Sequence, residues 1–139
     1  MSKITVWFIR CGIIYFVLAM VVGIFMTVTG PTYPFKPVHT HFNLLGWMSM
    51  MIYGVGYHIL PRFSGNPLWS DKMSYVHIWL ANIGLIGMAC GWVILSKGGS
   101  YGILHGFSMV EGISILLFAL NMFLTIKAVP TPVKPKPAQ

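Results

Sequence analysis

Apolar positions in this chain come in long unbroken runs rather than in short periodic stripes. The first run extends from about Ile4 to about Val28, the second from about Val38 to Leu60, the third from about Met73 to Leu95 and the fourth from about Gly102 to Ile126. Each is close to the roughly 20 residues that an α-helix needs to cross a bilayer. The pattern therefore predicts an all-α membrane protein of four transmembrane helices. Pro31, Pro34 and Pro37 predict an extended loop after the first run, because proline cannot donate to a continuing helix. Pro61-Arg62 predicts the end of the second, followed by a turn at Ser64-Gly65-Asn66-Pro67. Ser96-Lys97-Gly98-Gly99-Ser100 separates the third from the fourth. Residues 1–128 thus read as one transmembrane domain. The remainder, Val129 to Gln139, alternates proline with lysine and reads as a disordered cytoplasmic tail at 129–139.

Composition supports this division. Hydrophobic residues make up 56% of the 139-residue chain and charged residues only 8%. A soluble domain carries about 25% charged residues, so lipid must replace the missing polar surface. The net charge of +7 is no nucleic-acid signal, since the basic residues lie at segment ends and not in a cluster beside exposed aromatics. They fix orientation instead. If the N-terminus is inside, Lys3, Arg10, Arg62, Lys72, Lys127, Lys134 and Lys136 fall on the inner side and only Lys36 and Lys97 on the outer. That bias places both termini in the cytoplasm, with the bacterial inner membrane as the expected location. Trp7, Trp69 and Tyr101 sit where an aromatic belt would. The first run is too long for a signal-peptide core, and no small-residue cleavage site follows it. Cys11 and Cys90 have no CxxC partner and read as core thiols. Gly87–Gly91 and Gly102–Gly106 are small-xxx-small pairs that suit close helix packing, within the chain or between copies.

Ionisable groups inside spans are functional candidates, because hydrocarbon solvates them poorly. His39 and His41 open the second span on the outer side, and His105 opens the fourth there. His58 and His77 lie near the inner side and read as interfacial or hydrogen-bonded groups. Glu111 lies about two turns into the fourth span, where it relays protons, binds a partner group, or sits protonated and bonded to a neighbouring helix. The methionines, including Met48, Met50 and Met51, read as core filler. His39-Thr40-His41 is the sharpest feature. Two residues along a helix is a rotation of about 200°, so the two imidazoles leave the helix on nearly opposite sides. They suit two different sites better than one shared ion, and neutral imidazole is a good axial ligand for haem iron.

The stretch from His39 to Gly65, HTHFNLLGWMSMMIYGVGYHILPRFSG, resembles the tenth of twelve spans in subunit I of the haem-copper oxidases. The matching features are His39 and His41 at the outer end, then His58, Pro61 and Phe63-Ser64-Gly65 at the inner end. The resemblance implies that His39 matches a ligand of the high-spin haem and His41 a ligand of the low-spin haem. The family's twelve helices form three four-helix arcs. A four-helix chain corresponds to one arc, and three copies can close the ring where the rotation fits. In such a homotrimer His41 of one copy and His39 of the next face the same junction, which gives a bis-histidine haem at each protomer interface. His105, at the same depth, is an alternative ligand or a partner for a haem propionate. The histidines that hold copper in the family have no counterpart here, so haem b is the expected cofactor and copper is not. The paired arginines that hold haem propionates in the family are also missing, leaving only Lys36 and Lys97 as outer positive charge.

The resulting expectation is a b-type cytochrome of the membrane that transfers electrons, with the lipid bilayer and further copies of itself as partners and a quinol or a cytochrome c as redox partner. A haem with an open iron position, serving an oxygen or nitric oxide reductase or sensor, is the first alternative. A structural or assembly subunit without cofactor is the second. The residues leave open whether the chain is an enzyme, which haem it takes and what its electron donor and acceptor are.

Overall fold

The computed structural model describes residues 1–30 and 33–127. The tail at 129–139, and Pro31 of the first loop, lie outside the described residues. The described chain is helical throughout its regular structure, with no strand. Hydrocarbon explains this: only helices and closed barrels satisfy every backbone N–H and C=O without water.

Helix α1, Lys3–Thr29, starts where the Ser2 hydroxyl accepts the Thr5 N–H at 3.3 Å and stops at Gly30, whose φ of 91° an L side chain would resist. The second helical path has three parts: α2 at Phe35–His41, a π-helical segment at Phe42–Ser49 and α3 at Met50–Phe63. Helix α4, Asp71–Ser96, is capped by Ser70, whose hydroxyl accepts the Met73 N–H at 3.2 Å. Helix α5 spans Gly102–Thr125. Helices α1, α4 and α5 are each long and apolar enough to cross a membrane. Their outward residues are apolar and bare: Phe123 and Val28 are 82% and 80% exposed. Such a surface needs lipid, and the chain is an integral membrane protein.

Both proline expectations need correction. Helix α2 begins at Phe35, inside the expected loop, with Pro37 in its first turn. The first N–H groups of a helix have no internal partner, so a proline there forfeits nothing. Pro61 lies within α3, which runs on to Phe63. The Ser64 hydroxyl donates to the carbonyls of Leu60 and Pro61, at 2.9 and 3.2 Å, and ties down this last turn.

The helices pack as two close pairs, α1 against the second path and α4 against α5, joined by contacts of α4 with α2, the π-helical segment and α1 and of α5 with α3; α1 and α5 are not in direct contact along their backbones. Glycine sets the spacing. A Cβ added at Gly46 would fall 2.6 Å from the Cβ and Cγ of Tyr15. Gly87 and Gly91 of α4 receive Phe107 and Leu104 of α5, so this small-xxx-small pair is used within the chain. Gly106 meets nothing within 4 Å. The core toward the Arg62 end is aromatic, with Phe8, Tyr53, Tyr57 and Phe118 around His77. Two expectations about fillers change. Cys90 is exposed and Cys11 only partly buried, so neither is a core thiol. Met50 is fully buried, whereas Met48 is 53% exposed. Both differences follow from which face of a uniformly apolar helix meets protein, which hydropathy cannot distinguish from lipid.

Gly46→Ala should overpack the α1 contact and destabilise the fold by about 1–3 kcal/mol. Gly112→Ala, where a Cβ meets nothing within 4 Å, should be neutral or stabilising by up to about 1 kcal/mol. Reversible unfolding in mixed detergent micelles reads the difference, and equal stability of the two variants would contradict the Gly46 contact.

Candidate functional site

Helix α2 carries His39 and His41 immediately before the π-helical segment. Two residues of regular helix separate them, so they leave α2 on opposite flanks. His39 turns to α1, where its Nδ1 lies 2.8 Å from the Ala19 carbonyl oxygen. Gly23 leaves room for the ring, since a Cβ there would approach Cε1 to 3.0 Å. His41 folds back along its own helix, with Nδ1 2.7 Å from the Pro37 carbonyl oxygen. Its ring centroid is 6.3 Å from that of Trp92 on α4. Both rings are half-buried.

A carbonyl oxygen can only accept, so in both histidines Nδ1 carries the hydrogen. Nε2 then keeps its lone pair. This is the arrangement found around metal-ligating imidazoles, where the second nitrogen donates to a carbonyl or carboxylate and fixes both tautomer and ring direction. His41 Nε2 has no competing contact among the hydrogen bonds of the described residues. His39 Nε2 lies 3.3 Å from the Asn43 amide nitrogen.

Asn43 also explains part of the local backbone. A π-helical turn shifts hydrogen bonds from i→i−4 to i→i−5 and leaves carbonyls short of partners. The Asn43 side chain donates to the His39 carbonyl at 3.0 Å. Gly46, in the same segment, allows the close approach of Tyr15. The π-helix therefore sits directly after the histidine pair, held by an amide on one side and a bare glycine on the other. Sequence reasoning passed over Asn43, although a polar residue four positions after His39 inside an apolar span was the signal for it.

The remaining histidines go elsewhere. His105 is exposed at the start of α5 and stacks on Tyr101 with centroids 5.7 Å apart. Helices α2 and α5 do not touch, so one chain does not bring His105 beside His39 or His41. His58 sits at the far end of α3, where the Arg62 guanidinium reaches its carbonyl oxygen and lies 2.7 Å from its Nδ1. His77 is not interfacial: it is completely buried, and its Nδ1 pairs with the Tyr57 hydroxyl at 3.0 Å. Among the described residues no three His, Cys, Asp or Glu side chains converge as a metal cage. A cleft of about 460 Å³ between α1 and α4, lined by Trp7, Cys11, Tyr75, Ile78, Trp79 and Asn82, lies toward the opposite end of the bundle from His39 and His41.

Comparison with known proteins gives an independent line. Over 57 residues, 40% of the chain, it is 40% identical to cytochrome c oxidase subunit 1 of Rhodobacter capsulatus. It is 37% identical over 57 residues to the cbb3-type cytochrome c oxidase subunit CcoN1 of Stutzerimonas stutzeri. The matched segment is 11% and 12% of those two proteins, so the chain spans a small part of the relatives it resembles. No protein-family model and no solved structure matches it. The resemblance to subunit I of the haem-copper oxidases holds at the level of the superfamily.

Nitrogen-15 NMR of histidine-labelled, metal-free protein should show His39 and His41 with the hydrogen on Nδ1, assigned by loss of each signal in His39→Gln and His41→Gln. A hydrogen on Nε2 in both would contradict the carbonyl contacts.

Proposed function

We propose that this chain is a membrane b-type cytochrome that passes electrons through haem held by His39 and His41. The observation that carries the reading is the shared orientation of the two imidazoles on opposite flanks of one helix: each has Nδ1 tied to a backbone carbonyl, which turns Nε2 away as the nitrogen to ligate, free in His41 and met by the Asn43 amide in His39. The similarity to haem-copper oxidase subunit I supports haem-based electron transfer in general. When bound, haem supplies a reversible one-electron couple. The chain's own part is to present the imidazoles at fixed angles, to hold the Nδ1 hydrogen on a carbonyl so that Nε2 is the nitrogen turned to ligate, and to set aromatic side chains such as Trp92 beside them.

The same reading takes the second helical path as a fourth span, both termini as cytoplasmic, residues 1–128 as the membrane domain, and the bacterial inner membrane as the location. It closes three copies into a ring, with His41 of one copy and His39 of the next sharing a haem. His39 and His41 lie on opposite flanks of a single helix, each only half-buried by its own chain, and a neighbouring copy on either side would complete the enclosure of both. The Gly106 face, open within the chain, offers a close contact between copies. His105 lies at a similar depth and suits a haem propionate. The redox partner is a quinol or a cytochrome c.

One observation favours a second reading. His39 is engaged by α1 and by Asn43 within its own chain. If it stays there, His41 alone ligates, and the iron keeps an open position for oxygen or nitric oxide.

His39→Ala and His41→Ala should each abolish or transform the haem spectrum of the purified protein, while His58→Ala should leave it intact. Carbon monoxide binding by the reduced wild-type protein would favour the open-position reading. Native mass spectrometry should find trimers with one haem per chain, and a haem-replete monomer or dimer would refute the shared site.

A further inference from the structure

The inward face of α5 is polar although its outward face is apolar. Glu111, Ser114, Asn121 and Thr125 are 3%, 0%, 0% and 1% exposed, and their spacing puts them on one stripe of the helix. Toward the Asp71 end the stripe is satisfied by the chain itself. Asn121 Oδ1 accepts the Ser70 N–H at 3.1 Å, Asn121 Nδ2 donates to the Ser70 carbonyl at 2.9 Å, and Thr125 Oγ1 accepts the Trp69 N–H at 3.0 Å.

Further into the bundle this changes. Both carboxyl oxygens of Glu111, the Ser114 hydroxyl and His77 Nε2 are buried with no protein partner. Glu111 is about 14 Å along α5 from Gly102, at 1.5 Å per residue, close to the middle of the membrane. Gly84 of α4 makes its space: a Cβ there would lie 2.6 Å from Glu111 Oε2. Phe118, one turn below Ser114, packs on His77 with centroids 5.7 Å apart, so the free His77 Nε2 belongs to the same α4–α5 seam. The titratable groups around the seam are His77 from α4, Tyr53 and Tyr57 from α3 and Tyr15 from α1. No lysine or arginine is buried among the described residues.

A carboxylate without a counter-charge is strongly disfavoured at this depth. The carboxyl therefore holds its proton, and buried polar atoms that lack protein partners recruit water. We propose that Glu111, Ser114 and His77 form an internal proton site, in which Glu111 carries a proton at mid-membrane depth and exchanges it with the aqueous phase at the Arg62–Asp71 end. Water held by Ser114 and by His77 Nε2 bridges Glu111 to His77. The imidazole takes a proton on one nitrogen and releases one from the other, and the Tyr57 hydroxyl, 3.0 Å from Nδ1, takes that proton and gives up its own toward the aqueous phase at the Arg62–Asp71 end. For each proton that leaves outward one returns along the same path, so the exchange is one for one and Glu111 ends as a neutral carboxylic acid.

The test reads the carboxyl directly, so its result is independent of whether haem binds. Asp71 and Glu111 are the only acidic side chains in the sequence, and carbon-13 in the glutamate side-chain carboxyl therefore isolates Glu111 from Asp71. Infrared spectra of the labelled full chain in lipid should show an isotope-sensitive carbonyl stretch of a neutral carboxylic acid at neutral pH. In heavy water this band should shift well ahead of the slowest core amides. Tyr57→Phe and His77→Phe should retard the shift by at least about tenfold. A carboxylate band, exchange only in step with the core amides, or an unaltered rate in Tyr57→Phe would each overturn the proposal.

Discussion

Hydrocarbon leaves no backbone or side-chain polar group to be satisfied by solvent, and the rest of this structure depends on that constraint. It makes the described chain helical. It turns Asn82, His77, Glu111, Ser114 and Asn121 inward, away from an outward surface of valine, leucine, isoleucine and phenylalanine. The hydrogen bond from the Tyr15 hydroxyl to Asn82 Oδ1, at 2.8 Å, is a direct product: two polar side chains on different apolar helices meet each other, and the Asn82 amide donates to the Ile78 carbonyl of its own helix. Since lipid is as apolar as the helix surfaces, hydrophobic burial does not drive helices together, and close packing does. The glycines at 46, 84, 87 and 91 supply it.

The same constraint organises the two chemical regions. At one end, the carbonyls of Ala19 and Pro37 hold His39 and His41, and the π-helical segment that follows is accommodated by Asn43. π-Helical turns cost hydrogen-bond geometry and concentrate at functional sites, and this one lies directly against the histidine pair. Toward the other end, the α4–α5 seam gathers polar atoms that the chain only half satisfies. Half-satisfied buried networks are costly, so three unpartnered groups in one seam mark a place where water or protons belong.

The two regions share helices. His41 looks toward Trp92 of α4, and Gly84, two turns along the same face, touches Glu111. An electron at the first and a proton at the second would sit in one low-dielectric bundle, where charges interact far more strongly than in water.

The sequence by itself determined that the chain lives in a membrane, that its regular structure is helical, where the helices run to within a few residues, and that His39 and His41 leave their helix on opposite flanks. Each of these depends on local quantities: the length of an apolar run, the position of a glycine, 3.6 residues per turn. Tertiary structure decided which apolar face meets protein and which meets lipid, because both environments reward the same side chains. It decided that His77 is a core residue held by Tyr57, that Cys90 and Met48 face outward, and that Gly87 and Gly91 are used inside the chain. It also decided where proline is harmless: Pro37 falls in a first turn with no N–H to lose, and Pro61 in a last turn that Ser64 secures. Hydrogen-bond partners such as Ala19 for His39 lie twenty positions away, and no local pattern encodes a contact that only the crossing of two helices creates.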